Sequence, residues 1–74
     1  MADVTFEDDA PDTIVRVDGV IIGRLTGQDA NRQMQWRAGH DYDQEKVEAF
    51  DHAYAAGDRS PEAARQALKK AGLA

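Results

Sequence analysis

Two β-branched runs, Thr13-Ile14-Val15-Arg16-Val17 and Val20-Ile21-Ile22-Gly23-Arg24-Leu25, flank an Asp18-Gly19 pair. That arrangement narrows the possible folds more than any other feature of the chain. A two-residue type I′ turn needs positive φ at both central positions, which Asp tolerates and Gly adopts freely. The pair therefore predicts a β-hairpin. With such a turn Val17 faces Val20 and Val15 faces Ile22, so these four side chains share one face. Ile14, Arg16, Ile21, Gly23 and Leu25 share the other. The uniformly β-branched face is expected to meet the rest of the core. The second face carries Ile14, Ile21 and Leu25 and is less polar than a freely solvated one, which invites a partner, a dimer contact or cover from a neighbouring segment. Gly23 inside a strand signals a bulge or a close backbone approach.

The remaining elements fall on either side. Val4 and Phe6 alternate with polar neighbours over residues 3–7 and predict a short strand, broken by the charged, proline-containing residues 8–12. Residues 26–31 cluster Gly, Asp and Asn and read as a loop. Residues 32–37 alternate again and predict a third strand with Met34 and Trp36 turned inward, with a helix as the competing reading because Gln, Met and Arg are good helix formers. Over residues 43–57, Val47, Phe50 and Tyr54 lie at i, i+3 and i+7 and form one helical stripe. Asp41 or Asp43 can cap that helix and Gly57 can stop it. A second helix is announced by Ser60 as N-cap, Pro61 in the first turn and Glu62 behind it. Its apolar face is Ala64, Ala67, Leu68 and Ala71. Lys69 and Lys70 stand at its negative end, and Gly72 with Leu73 fits a Schellman ending that folds Leu73 onto Leu68 and leaves the terminus ordered. The expected fold is α+β: one domain over residues 1–74, an antiparallel sheet of about three strands packed against two helices.

A chain of 74 residues builds a small core. In such scaffolds the core rarely supplies more than about 3–5 kcal/mol, so self-association is a natural supplement. There is no cysteine, which excludes disulfides and thiolate metal sites and favours a reducing, cytoplasmic setting. No apolar run suits a membrane span, and the acidic start is unlike a signal peptide. Chemistry has little to work with. His40 beside Asp41 could form an oriented base and His52 lies on the polar side of its helix, but no nucleophile motif accompanies either. The acids of residues 8–12 and 41–45 do not follow Ca²⁺-loop spacing, and Gly19, Gly23 and Gly27 never open a helix as a phosphate loop would. No enzyme activity, cofactor or metal is expected.

The net charge of −5 is unevenly placed. Residues 1–12 hold five acids and no base, and residues 41–51 hold five acids (Asp41, Asp43, Glu45, Glu48, Asp51) against Lys46 alone. Between them lie Arg16, Arg24, Arg32 and Arg37. Such a bipolar surface suits a protein partner. In size, charge and the order of hairpin then acidic helix, the chain resembles small phage-encoded inhibitors of host defence such as anti-CRISPR proteins. The resemblance implies a module that blocks a basic nucleic-acid-binding groove by offering carboxylates in place of phosphates. The candidates are Asp41, Asp43, Glu45, Glu48 and Asp51, together with Asp8, Asp9 and Asp12. A solvated helix face is the plainer reading of the same residues. Two alternatives stand beside it. Arg16, Arg24, Arg32, Arg37 and Trp36 could hold a nucleic acid on the sheet by charge and stacking, although alternation with Met34 favours Trp36 as a core anchor. Ile14, Ile21 and Leu25 could pair two copies in a structural assembly.

Overall fold

A computed structural model describes residues 3–27, 31–39 and 41–74. Four antiparallel strands, β1 (Val4–Asp9), β2 (Asp12–Val17), β3 (Val20–Thr26) and β4 (Gln33–Trp36), form a meander in the order β1-β2-β3-β4. Two helices follow, α1 (Gln44–Ala55) and α2 (Pro61–Lys70), and pack on one face of the sheet. The class is α+β as expected, with one more strand in the sheet. The first strand runs on to Asp9, and residues 10–11 are only a tight turn with a cis Ala10-Pro11 bond. The loop expected over residues 26–31 begins later, because Thr26 is still in β3; residues 28–30 lie outside the described set.

The Asp18-Gly19 turn has φ of 52° and 82°, the two positive values that its residues anticipate. Beyond it the register departs from simple alternation. Arg16 pairs with Ile21 and Val15 with Gly23, so Ile22 is an extra, bulged residue. Strand side chains alternate with a period of two, so one inserted residue reverses every later position. Leu25 consequently turns inward and is buried, whereas Arg24 turns outward. This corrects the expected dimer face, which keeps Ile14 and Ile21 but loses Leu25. Val20 also departs from the expectation: next to the turn, it stands outside the core cluster and is 48 % exposed. Gly23 explains the tight β3–β4 approach, since a Cβ there would stand 2.5 Å from the Gln35 carbonyl oxygen.

The inward face therefore carries Val4 and Phe6 from β1, Val15 and Val17 from β2, Ile22 and Leu25 from β3, and Met34 and Trp36 from β4. Phe50 and Tyr54 of α1 and Ala64, Ala67 and Leu68 of α2 complete the core. Phe50 meets the Trp36 ring edge-on at 5.3 Å and stacks on Tyr54 at 5.3 Å. Trp36 is thus a half-buried core anchor, as its alternation with Met34 suggests.

Local chemistry sets the helix ends. Asp43 caps α1 by accepting the Glu45 amide at 3.0 Å, and Ser60 caps α2 by accepting that of Ala63 at 3.1 Å. At the end of α2, Leu73 N–H donates to the Leu68 carbonyl and Gly72 N–H to that of Lys69, with Gly72 at φ 80°. That is the Schellman ending its residues predict. Gly57 does not supply the left-handed residue after α1; Arg59 does, at φ 59°. Its strain is offset by a lock. The Tyr54 hydroxyl donates to the Arg59 carbonyl at 2.7 Å, while Arg59 and Arg32 each donate a guanidinium N–H to the other's carbonyl, at 2.6 and 3.1 Å. On the far side, Arg65 of α2 donates to the Val4 carbonyl at 3.2 Å and lies over the Phe6 ring.

Candidate partner-binding surface

The outward face of the sheet is a grid set by register. Thr5, Arg16 and Ile21 share one row; Glu7, Ile14, Arg24 and Gln35 share the next. Arg16 sits 3.5 Å from Glu7 and donates to the Gly19 carbonyl. Arg24 reaches Asp12 at 2.9 Å and Asp9 at 3.3 Å. Both guanidinium groups are therefore met by carboxylates at once. Arg32 is absorbed by the lock with Arg59, away from this face. Arg37 is exposed just past β4, where its amide donates to the Ile22 carbonyl at 2.9 Å. The four arginines do not gather into a continuous basic track. Ile14 and Ile21 are half-buried and line a shallow groove of about 440 Å³ together with Gln35 and Arg37.

The α1 acids are in a different situation. At about 100° per residue, Glu45, Glu48 and Asp51 fall within a band of about 120°: Glu45 lies opposite the stripe of Val47, Phe50 and Tyr54, and Asp51 flanks that stripe beside Val47. All three are exposed. The run from Asp43 to Asp51 extends about 12 Å along the axis. Among the described residues none of Asp41, Asp43, Glu45, Glu48 and Asp51 is in an ion pair; the pairs join Glu7, Asp9, Asp12 and Glu62 to Arg16, Arg24 and Arg65. Lys46, the only base in that stretch, is drawn to the Gly72 carbonyl at 3.4 Å. Partial burial raises the Asp51 carboxyl above its ordinary range; Arg59 pulls the other way and Glu48 adds repulsion. Asp9 and Asp12 do not join this patch, since they face outward on the opposite layer of the fold. Asp8, beside them in β1, is exposed.

Asp41 and Asp43 also border a cleft that sequence reasoning missed. Its construction starts with the bulge. The Ile22 carbonyl accepts both the Arg37 amide and, at 2.5 Å, the Tyr42 hydroxyl, which pins residues 41–43 beside the hairpin tip. Trp36 meets Tyr42 edge-on at 5.0 Å. Burial pushes the Tyr42 hydroxyl pKa up, against opposing hydrogen bonding and charge at Arg37, and so favours the protonated donor. The Schellman turn then brings in Leu73. The resulting cleft encloses about 400 Å³, with Val17, Val20, Ile22, Trp36 and Leu73 as its apolar lining. Asp18, Asp41, Asp43 and Lys46 supply its charges. Only exposed Val20, an apolar side chain next to the turn and outside the core cluster, could have hinted at it.

Among the described residues no group of three or more His, Asp or Glu side chains is placed to hold a metal ion. His52 is exposed, and His40 lies outside the described residues. No described helix is long and apolar enough to cross a membrane. No family model, curated protein or solved structure matches the chain.

Proposed function

We propose that this chain is a non-enzymatic protein-binding module whose α1 carboxylates engage a basic surface of a partner. One observation carries the reading. The acids of α1 have no ion-pair partner among the described residues, while the sheet arginines are already paired. An exposed row of like charge costs self-repulsion that a complementary surface relieves, and it steers that surface into contact. The resemblance to phage-encoded, anti-CRISPR-like inhibitors gives the partner's class: a nucleic-acid-binding protein whose phosphate groove the carboxylates occupy. A cytoplasmic setting belongs to the same proposal and suits a cysteine-free chain.

The test compares wild type with the double reversal Glu45→Lys/Glu48→Lys as bait in a nuclease-treated lysate of the native host. The expected outcome is a stoichiometric nucleic-acid-binding protein held by wild type, released by moderate salt and absent with the reversal, whose circular dichroism stays unchanged. Equal capture by both baits would remove the acidic-face mechanism. Recovery of nothing after nuclease, but of RNA or DNA from a parallel untreated lysate, would transfer the role to Arg16, Arg24 and Arg37. A dimer that dissociates on Ile14→Glu or Ile21→Glu would instead support an assembly role for the sheet face.

A further inference from the structure

We infer that the cleft beside the hairpin tip is an anchor pocket for one long cationic side chain, a lysine or arginine, of the protein partner. The inference rests on the reading that the partner's surface is basic, and it names where a single residue of that surface enters. The cleft's chemistry is divided in the same way as such a side chain. Its lining joins apolar Val20, Ile22 and Trp36 to the carboxylates of Asp18, Asp41 and Asp43, with Lys46 as its one ammonium. Lysine and arginine bury an aliphatic stem along apolar surface while the charged head stays near carboxylates or water. A purely apolar group would leave three carboxylates desolvated, and an anion would meet three like charges.

The opposing charges are already engaged. Lys46 Nζ lies 3.4 Å from the Gly72 carbonyl, at the negative end of α2. The positive end of α1 is covered by its own cap, Asp43, which accepts the Glu45 amide through Oδ1. Asp18 is held by the Asp3 amide at 2.8 Å, so its carboxylate is fixed in place before any partner arrives. Val20 is the large apolar side chain left 48 % exposed, and a stem lying over it would cover it. A bidentate guanidinium can bridge neighbouring carboxylates, which makes arginine the stronger of the two.

Trp36 is the single tryptophan of the chain and lines the cleft, so its emission reports occupancy. Isotope-labelled protein would be titrated with acetyl-Gly-Arg-Gly-amide and with its lysine and norleucine counterparts, following Trp36 emission and backbone amide shifts. The arginine probe should saturate shifts at Val20, Ile22, Trp36, Asp41 and Asp43, with lysine weaker and norleucine silent. Asp41→Asn/Asp43→Asn keeps a capping side chain at position 43 but removes both charges, and should weaken binding about ten-fold. Val20→Lys should abolish it by placing a tethered ammonium in the cleft. Norleucine binding as well as arginine would overturn the cationic anchor, and so would an unshifted cleft.

Acetyl-hexaarginine-amide separates this proposal from the reading beneath it. Shifts confined to Glu45, Glu48 and Asp51 would leave the acidic face standing and remove the pocket. Shifts nowhere would remove both.

Discussion

The carboxylates of the first two strands and those of α1 carry the same charge in opposite settings. Glu7, Asp9 and Asp12 share a sheet face with Arg16 and Arg24, and each lies within 3.5 Å of a guanidinium. Glu45, Glu48 and Asp51 share a helix face with no described cation in ion-pair range. Residues 1–12 and 41–51 each contain five acids, so the sequence count does not distinguish them. What differs is the neighbour that secondary structure supplies. A strand places its side chains beside those of the next strand, and here that strand is basic. A helix places them beside residues three and four positions away, and here Lys46 points elsewhere. Formal charge along a chain is therefore a poor guide to its external field until pairing is known.

That contrast depends first on α1 being docked. Phe50→Ala should cost about 3–5 kcal/mol by opening a cavity among Trp36, Tyr54 and the sheet. Urea denaturation would show it as a fall in midpoint, and a domain this small could lose its helix layer altogether. It depends next on the bulge, which sends Arg24 outward. Gly23→Ala forces a Cβ towards the Gln35 carbonyl and should cost about 1–3 kcal/mol. Amide shifts along β3 and β4 would locate the disturbance.

Pairing itself is probed more gently. Arg24→Gln should change stability by less than about 1 kcal/mol, because exposed ion pairs contribute little. It should nevertheless free Asp9 and Asp12, so that a polyarginine probe gains a salt-sensitive second site on the sheet. An unchanged titration would mean that these carboxylates were never neutralised, and the contrast would fail.

The smallest effect belongs to Asp51. Its pKa is raised in the folded state, chiefly by burial, so the folded state holds the proton more tightly than the unfolded chain. Asp51 therefore favours folding most at pH below its unfolded value and loses that contribution as pH rises through the folded one. Asp51→Asn should raise Tm slightly at pH 7 and leave it nearly unchanged at pH 3. Equal shifts at both pH values would refute the burial account.

Much of the fold was legible because its signals were local. Asp18-Gly19 specifies a turn by backbone conformation, Ser60-Pro61 opens a helix and Gly72-Leu73 closes it. The alternation of Met34 with Trp36 likewise identified the inward side of β4. Gly23 and Leu25 were assigned to the wrong face because alternation assumes an uninterrupted ladder, and one bulge at Ile22 reverses everything beyond it. Gly23 carried the warning, yet nothing in its identity says which neighbour is the extra residue. The site was legible to the same degree. Helical periodicity places Glu45, Glu48 and Asp51 together, whereas the neutralisation of Arg16 and Arg24 follows from cross-strand register. The cleft drew its walls from a turn, a bulge, a helix entry and a helix exit, so no single segment contained its signature.

The contact between Arg65 and β1 has a consequence for what the sheet can become. A meander ends in two open edges, and an exposed edge is a template on which another chain can add a strand. Along β1, the guanidinium of α2 occupies the Val4 carbonyl and covers the Phe6 ring, so an incoming strand would have to displace it. The opposite edge, β4, is only four residues long. One arginine and one short strand thus oppose the edge-to-edge growth by which small sheets polymerise into fibres.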